Sequence, residues 1–549
     1  MAEHQPPPEN TQMKPLLSPE DMMEKKTSVQ EEEDVNEESP PPALVGRNLG
    51  LLTAGLCLCV FLSALDITIV STSLTSISND LDAFEESSWI VSSYLATYFS
   101  FLIIWAKLSD FFGRKRMLIG AVVLFLAFSG ACGGTKAPMA LIVCRAFQGI
   151  GGAGIFSMVP IIVAEMVEPA RYGAYNGIIS LAIAFSFLLG PLFGGAISDG
   201  TTWHWIFWIN LPVSVVALAL VFVSMPAEFG LSKPRDRNVP ILNRIDYPGF
   251  FMLLASCVLV IVAIEEAGIS YAWDSALVIA CLVIAGILFL LFIAWQWYLD
   301  HTQSQREPIF PWQFVKTRVL MGIYLNALLS GVPFVTLVIE LPLRFMSING
   351  KSGLDSGIAI LPFTLALAFG SAITGSITSK GRVPVIAVLF AATLFQILGM
   401  GLLYSVAVTA HLPASIYGYQ FLAGLGTGLS LTTLLNVVPS VVDRRVLAVA
   451  MGGVTQLRIL GGALGTSIAT NLLNTTAKSR LATELPADTL ARILKDVSLV
   501  QTLSSADQTM VHAAFAQGYH KQLAMMLGFC AAEVVALALI WEWPMRRLE

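Results

Sequence analysis

Two charged residues, Asp66 and Arg145, interrupt long apolar runs of the sequence. A charge near the middle of a bilayer costs roughly 2.5 to 3.5 kcal/mol on insertion scales, so each of these residues requires a partner or a function. They lie at similar distances from the ends of their runs and could therefore form an ion pair. Protonation of Asp66 would then release Arg145, which is the minimum that a proton-coupled cycle needs. The alternative is a permanent ion pair that holds two helices in register.

Two more charged residues, Arg458 and Glu533, lie inside apolar runs at matched depth. They are candidates for a second ion pair. Two further acids, Glu265 and Glu266, lie at the end of an apolar run, where water can reach them. We predict that these two acids form a solvated rim.

A short polar link, residues 106–116 (AKLSDFFGRKR), joins two apolar runs. Its cations lie close to the ends of those runs, which indicates the cytosolic side of a membrane. Asp110 lies one helical turn before Arg114, a spacing that suits an ion pair at a helix end. Gly113 allows a tight backbone turn between the two runs. The simpler interpretation is a generic positively charged loop.

The composition is that of a polytopic membrane protein. Hydrophobic residues make up 55% of the 549 residues and charged residues only 13%, which excludes a soluble core. Fourteen apolar runs of spanning length predict an all-α protein with 14 transmembrane helices. Lys and Arg cluster in alternate loops, so both termini are predicted to be cytosolic. The predicted runs are 49–73, 88–108, 117–136, 139–164, 173–197, 204–225, 247–266, 275–298, 319–342, 356–379, 383–408, 413–439, 446–470 and 521–542.

The runs divide the chain into domains. The amino-terminal 45 residues hold 11 of the 38 acidic residues and several prolines, so they cannot bury enough apolar area to fold. We predict a disordered acidic cytosolic tail at 1–45. The other predicted parts are an N-terminal six-helix bundle at 46–226, an inserted helix pair with cytosolic linkers at 227–318, a C-terminal six-helix bundle at 319–543 with an external loop at 473–519, and a cytosolic tail at 544–549.

A glycine-rich segment occurs twice, as RAFQGIGGAG at 145–154 and as QFLAGLGTG at 420–428. The glycines align when Arg145 is set against Gln420. Parallel repeats of this kind indicate two equivalent bundles of six helices, with the two middle helices inserted between them. The first copy also matches G-x-G-x-x-G, but a dinucleotide site requires a preceding strand. We therefore predict close helix packing here and no nucleotide cofactor.

The seven cysteines lie in or at the ends of apolar runs, so we expect neither a disulfide framework nor a metal site. The triplet Asn474-Thr475-Thr476 is an N-glycosylation acceptor on the predicted outer face. The alternative is that Asn474 lies too near the membrane to be modified.

The link at 106–116 resembles the loop signature between the second and third helices of the major facilitator superfamily. It carries the x-L-x-D and x-x-G-R-K elements, with Ala106 where that family usually has Gly. The segments LDITIVSTSLT, CRAFQGIGGAG and GPLFGG resemble, more narrowly, its fourteen-helix drug:proton antiporter branch, which includes fungal multidrug and toxin efflux transporters. The resemblance covers about 49–542. It implies a gating role for Asp110, Gly113 and Arg114.

The same resemblance assigns roles to other residues. It places Asp66 and Arg145 on helices that line a central cavity, which favours a proton-coupling role, and the last helix at the periphery, which favours a structural ion pair between Arg458 and Glu533. Scattered amide and phenol groups in an apolar cavity suit bulky amphipathic molecules. The residues that match the signature linked with exporters are Gly190, Pro191, Gly194 and Gly195. The predicted polar residues of the cavity are Tyr94, Tyr98, Gln148, Asn176, Asn326, Asn436 and Gln456.

These features together predict a proton-coupled exporter of hydrophobic or amphipathic small molecules, such as a toxin, a secondary metabolite or a drug. The expected location is the plasma membrane, with the vacuolar membrane as the alternative. An amino-acid or siderophore permease of the same fold, and a membrane receptor without transport activity, are the alternative functions. The sequence carries no ATP-binding cassette, so the energy would come from a gradient, worth roughly 2.3 kcal/mol per charge per 100 mV. We expect a monomer without enzyme activity, cofactor, metal or nucleic-acid partner.

Overall fold

The computed structural model describes residues 44–81, 86–168, 171–227, 229, 240–267, 271–302, 304–378, 383–406, 412–482, 484–495, 500 and 503–547. Residues 1–43 of the predicted acidic tail lie outside the described residues, as do residues 548 and 549 of the predicted carboxy-terminal tail. The described part of the chain is helical and contains no β-strand. The prediction of an all-α protein is therefore confirmed.

In the described part of the chain, fourteen long helices follow one another at the positions of the predicted apolar runs. Thirteen helices of the described residues are long and apolar enough to cross a membrane, and the shorter apolar stretch Leu361–Gly375 lies in the remaining one. The helices are α1 (Gly46–Asp80), α2 (Ser87–Phe112), α3 (Arg114–Gly134), α4 (Pro138–Met166), α5 (Tyr172–Gly200), α6 (Asn210–Ser224, after a single turn at Trp205–Trp208), α7 (Tyr247–Glu266), α8 (Ala276–His301), α9 (Arg318–Ser347), α10 (Leu361–Thr378), α11 (Val385–Ser405), α12 (Ser415–Val437), α13 (Leu447–Leu481) and α14 (Ser505–Ile540).

The last two helices are longer than their apolar runs. α13 continues to Leu481 and α14 begins at Ser505, where the Ser504 hydroxyl accepts a hydrogen bond from the backbone amide of Asp507 at 3.2 Å. This contact is an N-cap, which satisfies an amide that the helix itself cannot pair. The segment 473–519, predicted as an external loop, therefore contains helix at both of its ends.

Helix pairing follows the same pattern in both halves of the chain. In the first half, α1 packs against α5 and α6, and α4 packs against α2 and α3. In the second half, α9 packs against α13 and α14, and α12 packs against α10 and α11. The second pattern is the first one shifted by eight helices. This repetition confirms two six-helix bundles with α7 and α8 inserted between them.

The two bundles meet along two helix pairs, α5 with α10 and α2 with α13. At the first of these crossings, a Cβ atom added to Gly173 would lie 1.7 Å from the Cα atom of Gly375. No side chain other than hydrogen fits at either position. The two bundles are therefore in direct backbone contact at this crossing.

The glycine-rich segment of α4 serves helix packing, as predicted. A Cβ atom added to Gly149 would lie 2.4 Å from the carbonyl oxygen of Tyr94 on α2, and one added to Gly151 would lie 2.5 Å from the backbone nitrogen of Phe125 on α3. These glycines let three helices approach closely, as small residues do in membrane helix pairs. The close approach places Arg145, one turn earlier on α4, next to α2.

Both termini are expected to be cytosolic, because the fourteen predicted runs are an even number and the sequence places Lys and Arg in alternate loops. Reporter fusions after Arg116, after Arg445 and at the carboxy terminus should all report a cytosolic location, and a fusion in the connection between α13 and α14 should report an external one. A carboxy terminus found outside the cell would contradict the pairing of the two bundles.

Candidate functional site

Asp66 on α1 and Arg145 on α4 form an ion pair in the interior of the N-terminal bundle. Their side chains are 0% and 1% exposed, and Nη1 of Arg145 donates to Oδ2 of Asp66. Gln148 accepts a hydrogen bond from the same Nη1 atom at 2.8 Å and donates through Nε2 to Oδ1 of Asp66, also at 2.8 Å. The structure thus brings together three of the predicted site residues.

Asn210 at the start of α6 completes this network. Its Nδ2 atom donates to Oδ1 of Asp66 at 3.2 Å and to the hydroxyl of Ser129 on α3 at 3.0 Å. The sequence prediction does not include Asn210. The signal that could have identified it is a single amide inside an apolar run, because such a group needs a polar partner.

Aromatic side chains enclose the cation of the pair. The Arg145 guanidinium carbon lies 4.1 Å from the ring centroid of Tyr94 and 5.7 Å from that of Phe207. Its Nε atom donates to the carbonyl oxygen of Ile90 at 3.2 Å. A cation over an aromatic face is stabilised by about 2 kcal/mol when water is excluded. Arg145 therefore keeps favourable partners even when Asp66 is neutral.

The network joins three helices of the N-terminal bundle. The Asp66 carboxylate on α1 holds side chains of α4 and α6 through Arg145, Gln148 and Asn210. A change at Asp66 therefore reaches the packing of all three helices.

The predicted gate residues also meet. Nη1 of Arg114, the first residue of α3, lies 2.7 Å from Oδ1 of Asp110 on α2 and 2.6 Å from the Ser109 hydroxyl. Its Nη2 and Nε atoms contact Glu165 near the end of α4, at 2.8 and 3.1 Å. Glu165 was missed by the sequence analysis because it belongs to a helix distant in the chain. The charged contacts of Arg114 therefore tie α2, α3 and α4 together.

Gly113 forms the turn that makes this arrangement possible. It lies between α2 and α3 with φ +87°, a conformation that residues with a Cβ atom rarely adopt. The turn places Arg114 beside Asp110. The charged groups are buried rather than at the surface, since Arg114 is 3% and Asp110 7% exposed.

The predicted cavity residues divide into two groups. Tyr94 and Tyr98 stack with ring centroids 5.6 Å apart and lie beside Gln148 and the ion pair. The Tyr94 hydroxyl donates to the carbonyl oxygen of Ser63 at 3.4 Å, whereas the buried Tyr98 hydroxyl has no partner among the described residues. These three residues belong to one site.

The remaining predicted cavity residues make separate contacts. Asn176 on α5 donates to Oδ1 of Asn436 on α12 at 2.8 Å, which joins the two bundles. Asn326 accepts from the Ser430 hydroxyl at 3.4 Å, and Gln456 contacts the Cys257 thiol at 3.3 Å. The structure therefore does not bring these four residues to the ion pair.

The structure does not bring Arg458 and Glu533 within salt-bridge distance, and their pairing stays a prediction. Glu533 accepts hydrogen bonds from Thr393 at 3.2 Å and from Gln396 at 3.5 Å, and no salt bridge joins it to Arg458 in the described part of the chain. Matched depth brings two residues to one level of the membrane but does not decide which helix faces point towards each other. Here Glu533 faces α11.

The prediction of a solvated acidic rim is wrong for one of its two residues. Glu266 is 0% exposed, whereas Glu265 is half-buried. The backbone amide of Tyr271 donates to the carbonyl oxygen of Glu266 at the end of α7. The hydropathy pattern places both acids at a helix end but does not show whether that end is covered.

A further buried acid, Glu340 on α9, was missed by the sequence analysis. It is 4% exposed and accepts hydrogen bonds from Thr470 on α13 at 3.2 Å and from Gln522 on α14 at 3.0 Å. An acid within an apolar run was the available signal. The predicted run ended at residue 342, which placed Glu340 near the water interface.

Removing the amide partner of Glu340 is expected to destabilise the C-terminal bundle. Gln522→Leu leaves a buried carboxyl group with one donor fewer, which costs about 1 to 3 kcal/mol. The measurement is the unfolding midpoint of the purified protein in detergent. Gln313→Leu is the matched control because Gln313 is exposed. An equal midpoint for both variants would contradict the contact between Gln522 and Glu340.

The exporter signature brings α5 close to α1. A Cβ atom added to Gly190 would lie 1.9 Å from the Thr68 hydroxyl oxygen, and the carbonyl oxygen of Gly194 accepts from Ser73 at 3.1 Å. Pro191 lies within α5, and a Cβ atom added to Gly195 would meet nothing within 4 Å. The close contact at Gly190 lies within one turn of Asp66 along α1.

The predicted glycosylation acceptor lies in a helix. Asn474 belongs to α13, and Thr476 is 3% exposed and accepts a hydrogen bond from Lys521 at 3.0 Å. The hydroxyl that completes the acceptor triplet is thus engaged with α14. Modification of Asn474 stays a prediction.

Comparison with known proteins agrees with the fold. A family model described as the Major Facilitator Superfamily matches residues 56–466. The human organic anion transporter MFSD10 (TETRAN) aligns with a TM-score of 0.55 at 14% identity, covering 88% of this chain and 100% of that one. The proton:xylose symporter XylE aligns with a TM-score of 0.55 at 13% identity, covering 91% and 97%. At this identity the two structures show a shared fold.

Similar sequences come from fungi. The MFS-type transporter FPY5 of Fusarium mangiferae is 40% identical over 508 residues, which cover 91% of this chain and 85% of that protein. The rubrofusarin-specific efflux pump aurT of Gibberella zeae is 30% identical over 454 residues, covering 79% and 82%. With the family match over most of its length and its helix pairing, this multi-pass membrane chain belongs to the major facilitator superfamily of transporters.

Proposed function

We propose that the protein exports hydrophobic or amphipathic small molecules, such as a toxin, a secondary metabolite or a drug, in exchange for protons. The observation that carries this proposal is the buried network of Asp66, Arg145, Gln148 and Asn210. It contains a carboxyl group that can take up a proton and a cation that responds to the change in charge. It also connects three helices of one bundle, so a change at Asp66 reaches the packing of that bundle.

The transport cycle follows from the two bundles and the network. Asp66 binds a proton from the outer side, the attraction for Arg145 falls, and the bundles rock to expose the site to the cytosol. Release of the proton to the cytosol restores the ion pair and accompanies binding of the substrate. The gate formed by Arg114, Asp110 and Glu165 closes the cytosolic side during release outside. A gradient of 100 mV supplies roughly 2.3 kcal/mol for each charge moved.

The proposed substrate class has two supports. The aromatic pair Tyr94 and Tyr98 adjoins the ion pair and offers flat apolar faces with polar edges. Among similar proteins, one is named as a rubrofusarin-specific efflux pump and another, from Hypomyces subiculosus, as the efflux pump hmp6 at 29% identity over 505 residues. We propose the plasma membrane as the location, because export from the cell requires it, and the monomer as the transporting unit.

The test is transport by the purified protein in proteoliposomes. An imposed pH gradient, with the compartment facing the proposed outer side more acidic, should drive a hydrophobic fluorescent substrate into that compartment against its concentration gradient. A proton ionophore should abolish the accumulation. Reconstituted Asp66→Asn protein is the matched control, because its helices remain the same and its proton site is lost.

The other two functions give different results in the same assay. An amino-acid or siderophore permease would move its substrate in the same direction as protons. A receptor would bind the substrate saturably, with no flux at any gradient. Either outcome would overturn the proposal.

A further inference from the structure

Glu307, in the linker between α8 and α9, contacts two cations from distant parts of the chain. Its Oε2 atom lies 3.1 Å from Nζ of Lys107, which is on α2 one turn before Asp110 of the gate. Its Oε1 atom accepts from Nε of Arg244 at 3.0 Å and also from Nη2 of that residue. Arg244 lies just before α7. Glu307 thus joins both linkers of the inserted helix pair to the gate helix.

Phe111 reinforces this contact. Its ring centroid lies 5.0 Å from the Lys107 ammonium group and 5.5 Å from the Arg244 guanidinium carbon. The backbone amide of Glu307 also donates to the carbonyl oxygen of Arg244 at 2.8 Å. Lys107 is only 4% exposed, so its charge is held in a defined position. We call Lys107, Phe111, Arg244 and Glu307 the latch.

The inserted pair is internally rigid next to the latch. Asp246 at the start of α7 accepts hydrogen bonds from Trp295 at 2.7 Å and Gln296 at 2.8 Å, both on α8. It also caps α7 by accepting from the amide of Gly249 at 3.0 Å. The Gln296 side chain accepts in turn from the backbone amide of Phe310 at 3.1 Å. The pair and its second linker therefore move as one body.

The other side of the pair touches the C-terminal bundle. Gln456 on α13 donates to the Cys257 thiol on α7 at 3.3 Å, and Ser467 on α13 donates to the carbonyl oxygen of Ile264 at 2.7 Å. The inserted pair thus bridges α2 of one bundle and α13 of the other. Those two helices also meet directly, since a Cβ atom added to Gly452 would lie 2.8 Å from the Cβ atom of Ala106.

Movement between the bundles must break one of these two sets of contacts. The latch is a charge-assisted contact to a buried lysine, whereas the contacts with α13 are neutral single hydrogen bonds, and one of them has a sulfur acceptor. Charge-assisted hydrogen bonds are roughly twice as strong as neutral ones. The latch should therefore persist, and the contacts with α13 should be the ones that break.

We propose that Glu307 is a positioning residue of the gate: through Lys107 it fixes the cytosolic end of α2 and makes the inserted helix pair move with the N-terminal bundle. This inference rests on the proposed transport cycle only in requiring that the two bundles rock. It gives the inserted pair a function, which is to carry the end of α2 back to the closed position of the gate.

The charges around Glu307 keep the latch closed at neutral pH. Burial alone would raise the pKa of the Glu307 carboxyl group, but the charge of Lys107 and the hydrogen bonds from Arg244 and Lys107 outweigh it and lower the pKa. A carboxyl group with a lowered pKa contributes stability above its unfolded pKa and loses it as the pH falls through the folded value. The next charges along the same surface are Asp110, Arg114 and Glu165 of the gate. The Glu307 carboxyl group is therefore charged at neutral pH, and the latch stays intact there.

The first test is the variant Glu307→Gln, which keeps the size of the side chain and removes its charge. Turnover in proteoliposomes should fall about fivefold with an unchanged KM, because the gate closes less reliably while the substrate site is untouched. Asp300→Asn is the matched control. Asp300 lies 4.0 Å from Lys316 in an exposed pair, 42% and 69% exposed, which contributes little. Equal turnover in the two variants would overturn the proposal.

A pair of reversible cross-links gives the second test, whose readout a merely structural role would not change. The double variant Lys107→Cys with Glu307→Cys, joined by a bifunctional methanethiosulfonate reagent, should transport faster when it is cross-linked than after reduction. Gln456→Cys joined to Cys257 by the same chemistry should transport only after reduction. The opposite pattern would mean that the inserted pair moves with the C-terminal bundle. If the wild-type protein and both reduced variants transport no candidate substrate, the proposed function fails. The proposal about the latch can then still be decided by the reactivity of a cysteine introduced into the gate, measured in each cross-linked form.

Discussion

Asp66→Asn is expected to abolish the dependence of efflux on the pH gradient while substrate binding is retained. Asparagine has the size of the protonated carboxyl group and cannot lose a proton, so the network is held in one charge state. The side chain can still accept a hydrogen bond from Arg145 or Gln148. The measurements are substrate binding by the purified variant and efflux rates in proteoliposomes with and without an imposed gradient. We expect gradient-driven accumulation to disappear.

The double variant Asp66→Asn with Arg145→Gln separates proton coupling from a structural ion pair. If the pair is structural, the single variant leaves the buried Arg145 cation without its counter-charge, at a cost of about 3 to 5 kcal/mol, and removing both charges should restore stability. A proton carrier is not restored by the second change. Glutamine fits this position because Gln420, its equivalent in the second bundle, is 0% exposed within α12. Full pH-driven efflux in the double variant would eliminate Asp66 as the coupling residue.

Arg114→Ala is expected to slow transport about tenfold and to destabilise the protein as well. The sequence pattern suggests a surface pair, whose loss would cost little. In the structure Arg114 is 3% exposed and contacts both Asp110 and Glu165, so its removal leaves two carboxylates close together without the cation that they share. Breaking a buried pair costs about 3 to 5 kcal/mol. Initial transport rates at equal protein content, together with the unfolding midpoint in detergent, measure the two effects.

Asp110→Asn is the matched control for the gate. Arg114 keeps its contact with Glu165 at 2.8 Å in this variant. The loss of transport rate and the loss of stability should therefore both be clearly smaller than in Arg114→Ala. Equal losses in the two variants would show that Glu165 does not share the cation. If Arg114→Ala transports at the wild-type rate, the basic link is only a topology signal.

The fold could be predicted from the sequence because hydropathy acts locally. Each spanning helix requires its own apolar run, and the bilayer leaves few other structures available, so the fourteen runs appear as fourteen helices. The pair Asp66 and Arg145 could be predicted for a related reason. Few charges occur in these runs, and a charge buried in the membrane requires an opposite charge or a polar group as its partner.

The other contacts could not be predicted because they depend on which helix faces meet. Depth along the membrane follows from the sequence, but rotation of a helix about its axis does not. Arg458 and Glu533 share a depth and yet Glu533 turns towards Thr393 on α11. Glu165 and Glu307 were missed for the same reason, because their partners, Arg114 and Lys107, are distant in the chain.

The contact between Gly173 on α5 and Gly375 on α10 has a mechanical consequence. Interdigitated side chains resist rotation of one helix against another, since packed side chains must change rotamer together. Gly173 is the second residue of α5 and Gly375 lies three residues before the end of α10, so the contact joins two helix ends. Two bare backbones have no side chains to disengage, so these ends can part and meet again without a change of rotamer. A single methyl group at either glycine would keep the two ends apart, since it would lie within 2.2 Å of the opposite backbone.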